Sequence, residues 1–274
     1  MSKGDEMIRL INDGKVEEAL KLADANDIGT LIELGNFFTS KGNYDVAEKI
    51  FDHAIELKPS SAEALVNKGF AFLELGRLKV ALECFNEAII VEPGSVEAWV
   101  GKGSALVGLE MLEESVGCFN QAIELKPDSV EAWFNKGSAL VGLRNLKKAV
   151  ECYDKVIELS PSLAEAWSNK GFALRELGRL EESIECFSRV IELKPDSTEA
   201  WVNKGFALVW LGKFENALEC YDEALRIDPK YAAALINKGA ALARLGRHEE
   251  AEKCFDEAMR LGKSSVSSSC RNGS

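Results

Sequence analysis

Six cysteines stand in one register: Cys84, Cys118, Cys152, Cys186, Cys220 and Cys254, each 34 residues from the next. Thiolates bind soft metals and exchange disulfides, but zinc sites built from them use ligands two to four residues apart in pairs, a spacing missing here. Cysteine is also a small hydrophobe, and a fixed phase fits packing. Free thiols suit a reducing cytoplasm, which is the expected location. The two histidines, His53 and His248, have no companion nucleophile or carboxylate in an active-site pattern, and no GxGxxG follows a strand. Neither a catalytic residue, a metal nor a cofactor is expected.

The remaining chemistry is that of recognition, and it too recurs in phase. Asn67, Asn135, Asn169, Asn203 and Asn237 form one row. Each amide offers a donor and an acceptor, which suits an extended peptide backbone. Glu63, Glu97, Glu131, Glu165 and Glu199 form another. They favour a basic partner, or they only complement helix starts. Phe172, Phe206 and Trp210 are placed to anchor an apolar side chain, with Arg175, Val209 and Arg244 on the same side. Trp99, Trp133, Trp167 and Trp201 read as packing residues. The row Lys68, Lys102, Lys136, Lys170, Lys204 and Lys238 covers apolar surface with its stems and is expected to pair with nearby glutamates.

A fixed period of 34 residues marks an array of repeats. Seven units are expected, at 28–61, 62–95, 96–129, 130–163, 164–197, 198–231 and 232–265. Each is read as two helices, the first from the second to about the fourteenth residue, the second about fourteen residues long. Glycine in the first helix, as at Gly35, Gly69, Gly103, Gly137, Gly171, Gly205 and Gly239, costs about 1 kcal/mol and implies a close neighbour. The turn carries Gly42, Gly76, Gly178, Gly212 and Gly246. Glu110 and Arg144 replace that glycine, so those turns are strained or differently shaped, with Asn145 a candidate for the left-handed position. All six prolines close repeats. Ser60 with Glu63, Asp128 with Glu131, Ser162 with Glu165 and Asp196 with Glu199 have capping-box spacing. Residues 1–27 read as a partial N-terminal capping repeat, with helices over Glu6–Asp13 and Lys15–Ala25. The last helix is expected over Glu249–Leu261. Residues 264–274, rich in serine, are expected to be disordered, leaving the array itself at 28–263.

These slots resemble the tetratricopeptide repeat family. The sixth unit supplies Trp201, Gly205, Leu208, Ala217, Tyr221, Ala224 and Pro229 in the family's pattern, and the likeness covers residues 28–265. The NKG phrase, as at Asn203–Gly205, is similar to repeats frequent in archaeal and bacterial proteins. The resemblance implies an all-α, right-handed superhelical solenoid of antiparallel helix pairs, its first helices lining a concave groove for an extended peptide or a partner's helix. One subgroup clamps C-terminal carboxylates through basic residues. Asn36 and Asn67 fit that clamp, but Ile32, Glu97 and Gly101 occupy its basic slots, so this mode is not expected.

The net charge of −12 disfavours nucleic acid. No run is long and apolar enough to span a membrane, and the opening MSKGDEMIRL lacks a signal peptide's apolar core. The expected function is a non-catalytic protein-interaction scaffold for a basic or apolar partner. The alternative is a self-assembling solenoid, a homo-oligomer joined through the C-terminal repeat, where Met259 and Leu261 lack cover.

Overall fold

The computed structural model describes the backbone of residues 2–269 and the side chains of residues 2–261. Its helices fall into two compact units, Met1–Leu143 and Arg144–Ser274. The first holds α1 (Lys3–Asn12), α2 (Val16–Leu20), α3 (Ile28–Ser40), α4 (Tyr44–Leu57), α5 (Ala62–Glu74), α6 (Leu78–Val91), α7 (Val96–Gly108), α8 (Leu112–Leu125) and α9 (Val130–Gly142). The second holds α10 (Leu146–Leu159), α11 (Ala164–Glu176), α12 (Leu180–Leu193), α13 (Thr198–Trp210), α14 (Phe214–Ile227), α15 (Ala232–Arg244) and α16 (His248–Ser269). No strand occurs among the described residues. Within each unit, from α3 onward, every helix packs on the next in the chain, so each unit is an all-α helix-pair repeat solenoid.

What locks the pairs within each unit is one aromatic ring against one glycine. A Cβ added to Gly35 would lie 2.4 Å from the Phe51 ring, to Gly103 2.5 Å from Phe119, and to Gly205 2.7 Å from Tyr221. Those three rings are buried to within 1 %. The lost helix propensity is offset by backbone-to-ring contact no larger residue permits. Phe85 is gripped twice: Cβ atoms on Gly69 of α5 and Gly101 of α7 would approach it to 2.8 and 2.2 Å. Gly101, which interrupts the asparagine row, therefore makes room for the previous repeat's aromatic.

The turn between paired helices takes the left-handed conformation at Gly42, Gly76, Gly178, Gly212 and Gly246, with φ of 70–75°. Glu110 and Arg144 adopt it too, at φ 62° and 58°. Asn145 does not: its φ is −87°, and it precedes α10 as N-cap. The turn keeps its shape and the non-glycine residue is strained, because α-helix C-termini close through this geometry whatever residue stands there. A left-handed non-glycine residue costs roughly 1–2 kcal/mol. Glu110→Gly and Arg144→Gly are each expected to raise stability by about 1 kcal/mol, read as a higher urea midpoint. Arg144 meets Glu176 at 3.7 Å with its side chain 76 % exposed, a pair too solvated to reverse that sign.

Helices start one residue later than capping-box spacing implies. Ser61, Ser95, Ser129 and Ser197 are the N-caps, each hydroxyl accepting from the backbone N–H of Ala64, Ala98, Ala132 and Ala200. Ser60, Asp128, Ser162 and Asp196 are instead inside β-turns: the N–H of Ser61, Ser129, Leu163 and Ser197 closes onto the carbonyl of Lys58, Lys126, Ser160 and Lys194. Proline sits second in each turn, its fixed φ suiting that place. With the cap at residue 61 the third helical residue is Ala64, so Glu63 cannot complete a box. The reciprocal box forms at α1, between Ser2 and Asp5.

Both chain ends depart from the periodicity reading. The first helix begins at Lys3, and α2 stops at Leu20 rather than Ala25. Asp27 explains the early stop. Its carboxylate accepts from the Asp24 N–H at 2.8 Å and from Lys3 Nζ at 2.5 Å, holding residues 24–27 in a turn. At the other end α16 runs on to Ser269, through part of the segment whose composition predicts disorder. Residues 270–274 lie outside the described residues.

Candidate functional site

The first helices of the second unit bury alanine, leucine and glycine on one side. In α11 these are Ala166, Gly171, Ala173 and Leu174; in α13 they are Ala200, Gly205, Ala207 and Leu208. Helical periodicity then turns Phe172, Arg175, Phe206 and Trp210 away from that seam. Arg175 organises them. Its guanidinium carbon lies 4.8 Å from the Phe172 ring centroid and 5.0 Å from that of Phe206. Nη1 donates to Asn203 Oδ1 at 3.3 Å, and Nη2 meets Glu176 at 3.5 Å. One arginine thus spans α11 and α13 and stiffens two rings.

Trp210 stands beyond Phe206, ring centroids 6.2 Å apart, with 68 % of its surface open to solvent. Two depressions flank this pair. One, of about 420 Å³, is lined by Arg175, Glu176, Leu180, Phe206 and Trp210. The other, of about 450 Å³, is lined by Phe206, Val209, Trp210, Phe214, Ala240 and Arg244. Phe172 is 40 % exposed, which extends the apolar strip on α11. The structure therefore brings Arg175, Phe172, Asn203, Phe206 and Trp210 into one shelf.

The rest of the candidate set is scattered or engaged. Asn67 donates to the Glu63 carbonyl of its own helix at 2.8 Å. Asn135, Asn169 and Asn237 are half-buried on their separate helices. Glu131 and Glu199 are exposed in first turns, where helix dipoles favour them. Glu165 accepts from Lys194 Nζ at 2.5 Å, and this bond holds its carboxyl below the ordinary range. Phe214, Leu180 and Ala240 line the depressions without having been singled out by sequence. Their signal was available: Phe214 replaces the leucine of Leu78, Leu112, Leu146 and Leu180 beside the one unit with Trp210.

The lysine row bonds to aspartates rather than glutamates. Lys68 pairs with Asp52, and Lys170 with Asp154 and Lys238 with Asp222 at 2.6 Å each. Lys102, Lys136 and Lys204, whose acidic slot holds Asn86, Asn120 or Ser188, lie over Trp99, Trp133 and Trp201 at 5.4, 4.9 and 5.7 Å, as the aspartate-paired Lys170 also does over Trp167 at 5.6 Å. Each indole N–H donates to a proline carbonyl six residues back: Trp99 to Pro93, Trp133 to Pro127, Trp167 to Pro161 and Trp201 to Pro195. These tryptophans pin the repeat joints, while Trp210 holds no such place.

The cysteine row is buried from Cys84 to Cys220, with Cys254 half-buried. Burial pushes the thiols of Cys84, Cys186 and Cys220 up to about 11, so they stay protonated at neutral pH. Among the described residues no cluster of histidine, cysteine, aspartate and glutamate is arranged to hold a metal. No described helix is long and apolar enough to cross a membrane.

Comparison with curated proteins finds no match. Among solved structures, YrrB, described as a TPR protein with an unusual peptide-binding site, is 28% identical over 68% of this chain and 95% of its own, with TM-score 0.60. A tetratricopeptide repeat protein from Parabacteroides merdae is 20% identical over 86% of this chain and 94% of its own, TM-score 0.63. MamA from Desulfovibrio magneticus is 24% identical over 62% of this chain and 96% of its own, TM-score 0.59. The last two likenesses concern the fold alone. Family models, each described as tetratricopeptide repeat, match residues 34–95, 96–129, 130–163, 164–197 and 196–264. With those matches following one another from residue 34 to residue 264, the chain belongs to the tetratricopeptide repeat family.

Proposed function

We propose that this protein is a non-catalytic scaffold that holds an extended peptide or a partner helix on the shelf of α11, α13 and α15. The fold is in general a protein- and peptide-binding one, and YrrB, 28% identical, is described as having a peptide-binding site. The observation that carries the reading for this chain is Trp210. A soluble surface gains nothing from a tryptophan 68 % exposed between two apolar depressions, whereas a partner's side chains covering it release that surface from water. Arg175 adds preorganisation: rings already held lose less freedom on binding. Panning a displayed random peptide library against the whole chain tests this. Peptides with one or two large apolar side chains are enriched by the wild type and lost with Trp210→Ala and with Phe206→Ala. Enrichment that survives both variants places binding elsewhere.

A second reading, self-association through the last repeat, has its own support. Phe255 occupies the slot in which Phe51, Phe85, Phe119 and Phe187 are at most 1 % exposed, yet it is 36 % exposed, and Met259 beside it 56 %. If that face assembles, sedimentation shows a mass that rises with concentration, and Met259→Glu returns it to the monomer. A constant monomer mass in the wild type removes this reading.

A further inference from the structure

We infer that the shelf selects a peptide carrying an aspartate or glutamate beside its apolar anchor, and that Arg244 is the residue that reads it. This rests on the peptide-binding reading above and goes against the pull of the whole molecule's charge. At −12 the chain as a whole attracts basic partners. Screening confines that preference to the approach, since exposed charges about 8 Å apart or more are largely masked at physiological salt. Within the contact itself the local charges decide.

Those local charges differ between the two depressions. In the first, Arg175 is matched by Glu176, which also meets Arg144 at 3.7 Å, and its remaining bond goes to Asn203. No guanidinium on that side is left without a carboxylate partner, so it suits a plain apolar side chain. In the second, Arg244 is the one charged lining residue, and it has no carboxylate within ion-pair distance among the described residues. The slot it occupies holds Ser40, Glu74, Gly108, Gly142, Glu176 and Trp210 in earlier repeats, so a cation here is particular to the repeat that adjoins Trp210. Arg244 also lies in the last turn of α15, where any cation is favoured by helix carbonyls. That role sets no preference among ligands, which is how the two are separated.

The test pans one displayed random peptide library against the full chain and against Arg244→Glu, with Trp210→Ala alongside, at physiological salt. The wild type is expected to enrich peptides with aspartate or glutamate within two residues of the apolar anchor. Arg244→Glu is expected to enrich lysine or arginine at that place. For a synthetic peptide from the first set, end-blocked so that only the side chain supplies charge, exchange of glutamate for lysine should weaken binding to wild type about tenfold or more and strengthen it to the variant. Apolar anchors with no charge preference, or the same preference in both proteins, overturn the role of Arg244 and leave the shelf standing. Peptides indifferent to Trp210→Ala, or none enriched, overturn the shelf and this inference with it. A loss of helix stabilisation alone weakens all peptides equally and cannot reverse their order.

Discussion

Phe85→Ala is expected to lower stability by about 3–5 kcal/mol, the usual cost of emptying an aromatic's place in a core. The ring is fully buried between Gly69 on α5 and Gly101 on α7, and little can collapse into the space. Gly101→Ala is the sharper companion. Alanine is the better helix former by about 1 kcal/mol, so propensity alone predicts a gain. The new Cβ would fall 2.2 Å from Cε1 of Phe85, and the ring cannot retreat because Gly69 already meets it on the other side. Overpacking of this kind costs about 1–3 kcal/mol, so the gain in propensity is cancelled and a net loss of up to about 2 kcal/mol is expected. In a Phe85→Leu background the same change should cost much less, a coupling that a double-mutant cycle on urea midpoints reads directly. Equal costs in both backgrounds would mean that Gly101 is there for another reason.

Trp210→Ala is expected to reduce affinity for a selected peptide by about 2–4 kcal/mol, roughly 30- to 1,000-fold. Its effect on stability should stay within about 0.5 kcal/mol, because a residue 68 % exposed contributes little to the core. That separation matters, since Trp99, Trp133, Trp167 and Trp201 should behave in the opposite way. Their indoles bond to proline carbonyls at repeat joints, so truncating them should destabilise the fold first and affect binding only through it. Calorimetric titration beside urea denaturation of the same variants distinguishes the two classes.

The period, the prolines and the turn glycines made the array legible, because each answers a backbone demand that only a few residue types meet. Helix starts were less legible. In Pro59-Ser60-Ser61 two adjacent hydroxyls compete for the cap, and only the β-turn closed by the Ser61 N–H decides between them. Arg144 misled for a related reason: asparagine tolerates left-handed geometry better, yet the turn fixes which residue must adopt it. At the shelf, Phe172 and Phe206 were visible as aromatics of one groove-side slot, and Trp210 and Arg175 as groove-side positions beside them. Arg175 lying against both phenylalanines was not, since it depends on two helices brought side by side. The asparagine row shows the limit of periodicity: identical residues in one phase have different partners, Asn67 its own helix and Asn203 an arginine.

The most direct measurement follows the five tryptophan indole N–H signals by nitrogen-15 NMR while a selected peptide is titrated into the intact protein. The Trp210 signal should move steadily to saturation, while those of Trp99, Trp133, Trp167 and Trp201 hold their positions. A peptide that binds with Trp210 unmoved, or that shifts the four proline-bonded indoles instead, would show that the shelf on α13 is not where this protein holds its partner.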